Sequence, residues 1–515
     1  MAIKIILLVV FFSVMVGIGI YCRRKAVDVN GFVLGGRAVG PWLTAFAYGT
    51  SYFSAVVFVG YAGQFGWKYG IAATWAGIGN ALIGSLLAWT ILGRRTRIMT
   101  QHLDSATMPE FFGKRFGSPA LKIAASVVTF IFLIPYTASL YNGLSRLFGL
   151  AFNIDYSVCV IVMAILTGIY VIAGGYMATA INDFIQGIIM LFGICAVIVA
   201  VLKSQGGFMA ALNGLSAITD ETVSTAPGIF NSFFGPDPIN LLGVVILTSL
   251  GTWGLPQMVQ KFYAIKSEKS IGTGTIVSTL FALIVAGGCY FLGGFGRLFS
   301  NQIDIAANGY DSVVPTMLSG LPDLLIALVV ILVLSASMST LSSLVLTSSS
   351  TLTLDLIKGH VVKKMNEKRQ VLIMRCLIVV FIGISVVLAI IQYRSSVTFI
   401  AQLMGVSWGA LAGAFLAPFL YGLYWKRTTK ISCWVSFIFS TVFMLLVISP
   451  FKTSLPALLQ SPINAGAFCM IVGLIIVPLI SLITPAPDKE QVDGAFSCYD
   501  QKVTARRTDT LGDAE

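Results

Sequence analysis

Charge is scarce in this sequence. Only 10% of its 515 residues are Asp, Glu, Lys or Arg, against roughly 25% in soluble proteins. With 57% hydrophobic residues and a mean hydropathy of +0.90, the chain has more apolar surface than a soluble core can absorb. Histidine is scarcer still: His102 and His360 are the two, both in basic stretches. A histidine-based catalytic metal site is not expected, nor is an enzyme, because no cluster of acids, bases or an activated nucleophile stands out. The eight cysteines are dispersed, mostly within apolar runs and without a CxxC pair. They read as reduced packing residues rather than a disulfide framework. Cys22 ends an apolar stretch but is followed at once by Arg23, Arg24 and Lys25, a stop-transfer pattern, so the first segment is expected to be an uncleaved anchor. The net charge of +12 is scattered between hydrophobic runs, which argues against a nucleic-acid partner.

What the chain does have is apolar runs of about 20 residues, each enough to cross a bilayer as a helix. Thirteen are expected, near 3–22, 41–64, 70–93, 121–145, 154–174, 181–202, 238–262, 272–296, 321–357, 371–392, 396–421, 431–450 and 463–484. With the N-terminus outside, the segments on the inner side hold 25 Lys and Arg and those on the outer side seven. That bias favours an odd number of spans and a cytoplasmic C-terminus in a cell membrane. The inner set includes 261–270, with its three lysines. The tail after 485 is polar and mixed in charge and is expected to be disordered.

Two spans look broken. The second carries Gly49, Thr50, Ser51 and Ser54 near its middle; the seventh carries Gly251, Gly254 and Pro256. Glycine and proline disfavour a helix interior. A simple kink is the plain alternative. The two lie five spans apart, however, which is the arrangement of an inverted repeat whose unwound segments bind ions and substrate at mid-membrane.

A third feature is SASMSTLSS at 335–343, six hydroxyls in nine residues inside an apolar run. Ala336, Ser339, Thr340 and Ser343 share one helix face. Membrane serines often bond their own i−4 carbonyls or let helices approach closely. The density here points instead to oxygen ligands for a hard cation such as sodium. Asp183, near the start of the sixth span, is the acid best placed to strengthen a second site; its alternative is a solvated helix N-terminus.

At these residues the chain resembles the sodium:solute symporter family. The similarity is carried by FVLGGRAVGPWLTAFA, by VIAGGYMATAINDFIQG (with Asn182 where Thr is usual), by SASMSTLSSLVLTSSSTLTLDL and by LYGLYWKR. The resemblance implies an all-α membrane protein with a leucine-transporter-type core of two inverted five-helix repeats, 41–202 and 238–421, within one transmembrane domain spanning 1–485. It implies a main sodium site from the carbonyls of Thr50, Phe53 and Ala336 and the hydroxyls of Ser339 and Thr340. It implies a second sodium at Asp183 with Ser339, Ser342 and Ser343, so one or two sodium ions per cycle. Candidate solute contacts are Ser51, Tyr52, Ser54, Asn80, Tyr136, Asn142, Thr252, Trp253 and Gln402. Where proline transporters have Ser-Asp, this chain has Ser51-Tyr52, and its seventh span reads Gly251-Thr252-Trp253-Gly254-Leu255-Pro256. Those departures lean away from proline and toward pantothenate transporters. The expected function is sodium-coupled symport of a small organic solute, whether pantothenate, an amino acid or a carboxylate-like compound. Proton coupling on the same fold, or a non-transporting sensor or channel, are the alternatives.

Overall fold

The computed structural model describes residues 2–152, 155–362, 365–395 and 400–499. Among these the chain is almost wholly helical. The principal helices are α1 (Ala2–Cys22), α2 (Pro41–Tyr52), α3 (Val56–His102), α4 (Pro119–Phe152), α5 (Tyr156–Ser204), α6 (Pro238–Gly254), α7 (Pro256–Ala264), α8 (Lys269–Gly293), α9 (Asp323–Thr351), α10 (Glu367–Ser395), α11 (Ile400–Tyr424), α12 (Lys430–Ile448), α13 (Pro462–Ile483) and α14 (Lys489–Phe496). Among the described residues, ten helices are long and apolar enough to cross a membrane, or eleven when the bent pair α6–α7 counts as one. Thirteen is reached if α3 and α5, at 47 and 49 residues, each cross twice.

Both long helices carry a glycine at positive φ part-way along: Gly70 (φ 63°) and Gly175 (φ 55°). At Gly175 the carbonyl oxygen of Phe32 lies only 2.7 Å from where a Cβ would stand, so a side chain is disfavoured by both backbone strain and space. Helix starts are set locally. Pro238 follows Asp237, whose carboxylate accepts from the Asn240 amide; Asp155 and Thr429 cap α5 and α12 in the same way. Each cap satisfies an amide that the helix leaves without a partner.

Large apolar side chains remain exposed around the outer faces of the spans, among them Phe192, Val199 and Ile483. This is the reverse of a soluble surface and fits lipid contact. Polar side chains turn inward: Ser335 through Thr351 of α9 contribute more than ten buried hydroxyls. In the interior, α9 packs on α5 and α2, and α7 packs on α2 and α9. The helices that are broken, acidic and hydroxyl-rich therefore meet at the centre.

One expectation needs correction. The tail is not all irregular: α14 follows an Asp488 cap and buries Val492 and Phe496. Its anchors are polar and aromatic. Lys426 meets Asp493 at 2.8 Å, and Arg95 lies between the Tyr424 and Tyr499 rings. Residues 500–515, the rest of that tail, lie outside the described residues.

Candidate ion and solute site

Helix α2 stops at Tyr52, and Phe53 takes an extended conformation before the chain resumes as α3. The last carbonyls of α2 thus lack their i+4 amides. They turn toward α9. Ser339 Oγ lies 2.9 Å from the Thr50 carbonyl and 3.2 Å from that of Ala336. Thr340 Oγ1 lies 3.2 Å from Thr50 O, 3.3 Å from Phe53 O and 3.1 Å from Ala336 O. All five residues are fully buried. Two hydroxyls supply two protons, yet they face three carbonyls across five short contacts. The cluster has surplus lone pairs and no charge of its own. It suits a hard monovalent cation, and it brings together every residue expected of the main sodium site.

One turn further along α9 the chemistry changes. Asp183 on α5 is wholly buried, and neither carboxylate oxygen has a hydrogen-bond partner. Lys261 on α7 brings its ammonium to 3.9 Å from Asp183 Oδ2. The same ammonium donates to Ser343 Oγ at 3.0 Å and lies 5.1 Å from the centre of the Tyr176 ring. Ser343 Oγ is also 2.9 Å from Ser51 Oγ. Ser342 turns away and donates to the Ser339 carbonyl at 2.8 Å. Lys261 is therefore not a loop residue, as the expected inner segment 261–270 had it: it is 2% exposed within α7. Burying a charge is tolerable only with a countercharge in reach, and Asp183 and Lys261 serve each other.

The solute candidates scatter more widely. Ser51 is engaged by Ala47 O and Ser343. Ser54 accepts from the Val56 amide at 3.2 Å and so shapes the break itself. Thr252 donates to Gly84 O and Trp253 to Ile83 O, both at 2.9 Å. Their polar atoms fasten the second break to α3 and are not free for a solute. Asn142 bonds Tyr156. Tyr136 is buried with its ring nearly perpendicular to that of Trp408. Tyr52, Asn80 and Tyr136 are better placed in one respect, since the two tyrosine hydroxyls and Asn80 Oδ1 are buried without partners. Gln402 lines a cavity of about 1450 Å³ that reaches inward to Pro135, Val244 and Val406. Gln64 lines the same cavity, with a buried Oε1 that has no partner. Gln257, in the first turn after the second break, is buried with its whole amide unpaired. Sequence reasoning missed Gln64, Gln257 and Lys261. Of the three, Gln257 alone carried a signal, a polar residue two positions past the Leu255 break.

The opposite face is shut. The Val39 amide donates to Ala264 O, and Val39 O accepts from Lys266. Arg37 donates to Ser105 O at 2.7 Å, Arg97 to Ile265 O at 2.6 Å, and Gln260 to Val33 O at 3.1 Å. These cross-ties hold α7 and the residues just after it against the segment before α2 and the last turns of α3, and join the segment before α2 to the one after α3. The cavity face has its own tie: Arg297 pairs with Asp220 at 2.8 Å and stacks on Phe230. Hydrogen bonds from Thr222, then from Arg297, draw the Asp220 carboxyl down to about 2.

With this geometry in view, the similarities are informative. The chain is 28% identical over 494 residues to the osmoregulated proline transporter OpuE of Bacillus subtilis, covering 95% of this chain and 96% of that one. It is 30% identical over 435 residues to a sodium/proline symporter of Staphylococcus aureus, covering 82% of each. In structure it matches a sodium-coupled sialic acid symporter with a TM-score of 0.74, at 16% identity, over 95% of this chain and 99% of that one. The nucleobase-cation-symport transporter Mhp1 matches at 0.50 and 12% identity, over 90% and 97%. The fold is thus of the leucine-transporter type. The model of the sodium:solute symporter family matches residues 32–439. This chain belongs to the sodium:solute symporter family, and is a multi-pass membrane protein that couples transport of a solute to sodium.

Proposed function

We propose that the protein carries a small amino-acid- or carboxylate-like solute into the cell with sodium, by alternating access. The observation that carries this is the convergence of five oxygens from Thr50, Phe53, Ala336, Ser339 and Thr340 at the first helix break. Sodium held there ties α2 to α9 and fixes the shape of the break. The solute is placed between the two breaks, beneath the cavity, with Tyr52, Asn80, Gln64, Gln257 and Gln402 as its first candidate contacts. Coupling is reciprocal: sodium raises solute affinity and the solute raises sodium affinity by the same factor. The membrane potential adds about 2.3 kcal/mol per charge per 100 mV.

The topology we propose has thirteen spans, the repeats at 41–202 and 238–421, the N-terminus outside and the C-terminus in the cytoplasm. Basic residues support it, for the inner bias survives moving Lys261 into a span. On that topology the cavity opens outward and the cross-ties of Arg37, Arg97 and Gln260 close the inner side. The arrangement is then an outward-facing one, and inward opening must break those ties.

Equilibrium binding to the purified protein, with and without sodium, tests the reading. Proline heads the panel because the relatives above are named for it. Pantothenate follows because of Tyr52-Phe53-Ser54-Ala55 and Gly254-Leu255-Pro256. Other amino acids and short carboxylates complete the set. The expected result is one solute whose affinity rises with sodium, and loses that dependence in Ser339→Ala. A solute that binds equally well without sodium refutes the coupling.

A further inference from the structure

We propose that the Lys261 ammonium is a resident cation, occupying the place at Asp183 that would otherwise hold a second sodium, so that the wild-type chain binds a single sodium. The inference rests on the sodium-coupled reading above and goes a step beyond it. Asp183 is sealed from water, and nothing donates a hydrogen bond to either of its oxygens. A carboxylate in that situation needs a cation within reach. The cation within reach is attached to the protein: Lys261, arriving from α7 across the interior.

The surroundings are those of a cation site rather than of an incidental ion pair. Ser343 Oγ accepts from the ammonium at 3.0 Å. The Tyr176 ring faces it at 5.1 Å, a favourable contact for a positive charge. Ser51, at the end of α2, reaches Ser343 at 2.9 Å. The ammonium therefore connects α7 to α9 directly, and to α2 through Ser343, with Asp183 of α5 as countercharge. A second sodium at Asp183, Ser339, Ser342 and Ser343 would draw on two of these helices, α5 and α9. At 3.9 Å the Asp183–Lys261 separation is about 1 Å beyond a charge-assisted hydrogen bond. The two charges balance one another without a direct hydrogen bond between them. Unlike an ion, this charge stays with the protein through every cycle.

Removing the ammonium while keeping the carboxylate should recreate the site. The experiment is equilibrium binding of radiolabelled sodium to purified full-length protein, read as ions per chain, for wild type, Lys261→Gln and the double variant Lys261→Gln/Asp183→Asn. The expected counts are one, two and one. Methylammonium, which mimics the lost lysine head, should displace only the additional ion of Lys261→Gln. Two sodium ions on the wild type would overturn the proposal, and so would an additional ion that persists in the double variant. A count of one for Lys261→Gln, with that ion lost on adding Ser339→Ala, would overturn it as well. If Lys261→Gln does not fold, Lys261→Met, which keeps the length of the side chain without its charge, takes its place with the same expected count of two. A wild type that binds no sodium at all sinks the coupling reading instead, which keeps the two failures apart.

Discussion

Helix α9 offers two cation environments one turn apart. At Ser339 and Thr340 it faces carbonyls of a broken helix, and every ligand is neutral. At Ser343 it faces Lys261 and, through it, Asp183, which are full charges. On the reading proposed above, a neutral cage of five oxygens would hold sodium without a countercharge and so let it leave, which a transporter requires. A buried carboxylate holds a cation far more strongly, and the cation beside Asp183 is a covalently attached one, Lys261. The contrast would then separate the charge that travels from the charge that stays, with the partner helices deciding what each turn of a hydroxyl-rich helix does.

The sharpest way to break that comparison is to remove one charge. Asp183→Asn leaves Lys261 buried without a countercharge, and the expected cost is about 3–5 kcal/mol of stability. Chemical unfolding in detergent measures it. Asp183→Asn/Lys261→Gln should recover most of the loss, and the double-mutant cycle isolates the coupling. Near-additive losses would mean that the two groups do not act as a charged pair. The neutral site should respond differently. Ser339→Ala removes one ligand and no charge, so stability should change little while sodium affinity falls by roughly 10–100-fold, the range of a hydrogen bond to a charged group. Sodium titration checks it. A variant that unfolds instead would show the hydroxyl to be structural, and the contrast between the two turns would collapse.

How far the sequence alone could go follows the same divide. Both helix breaks were legible, because Gly, Pro and Ser inside apolar runs have a direct backbone consequence. The five oxygens of the neutral site were legible once the family resemblance supplied the pairing of 50–53 with 336–340; spacing alone put only Ala336, Ser339 and Thr340 on one face. Lys261 was not. A lysine three residues before Ala264, where the apolar run ends, looks like any cytoplasmic-edge charge, and only the path of α7 after Pro256 carries it inward to Asp183. Thr252 and Trp253 were misjudged for a related reason. They flank the second break, as a solute contact would, but their polar atoms are taken by the carbonyls of Ile83 and Gly84. Those two carbonyls belong to a π-helical turn of α3, which pattern reading does not foresee. The docked tail was missed because α14 is short and polar and finds its partners only on the assembled basic face.

The third ion pair, Asp220–Arg297, sharpens the comparison from outside the membrane-spanning segments. Arg297 is buried but Asp220 is about a quarter exposed, with the side chains at 6% and 26%. Water screens what the membrane interior does not, so the pair should contribute roughly 1 kcal/mol or less. Its sign is fixed by the carboxyl, which hydrogen bonds from Thr222 and then Arg297 hold at about 2, below its ordinary 3.8. A depressed carboxyl stabilises the fold above its unfolded value, and that contribution is lost as pH falls from about 4 through about 2. Melting of the purified protein at pH 5 and pH 3 should therefore show a small acid loss that Asp220→Asn reduces. An acid loss unchanged in Asp220→Asn would move the sensitivity to some other carboxylate and remove this loop tie as the exposed counterpart of the buried pair.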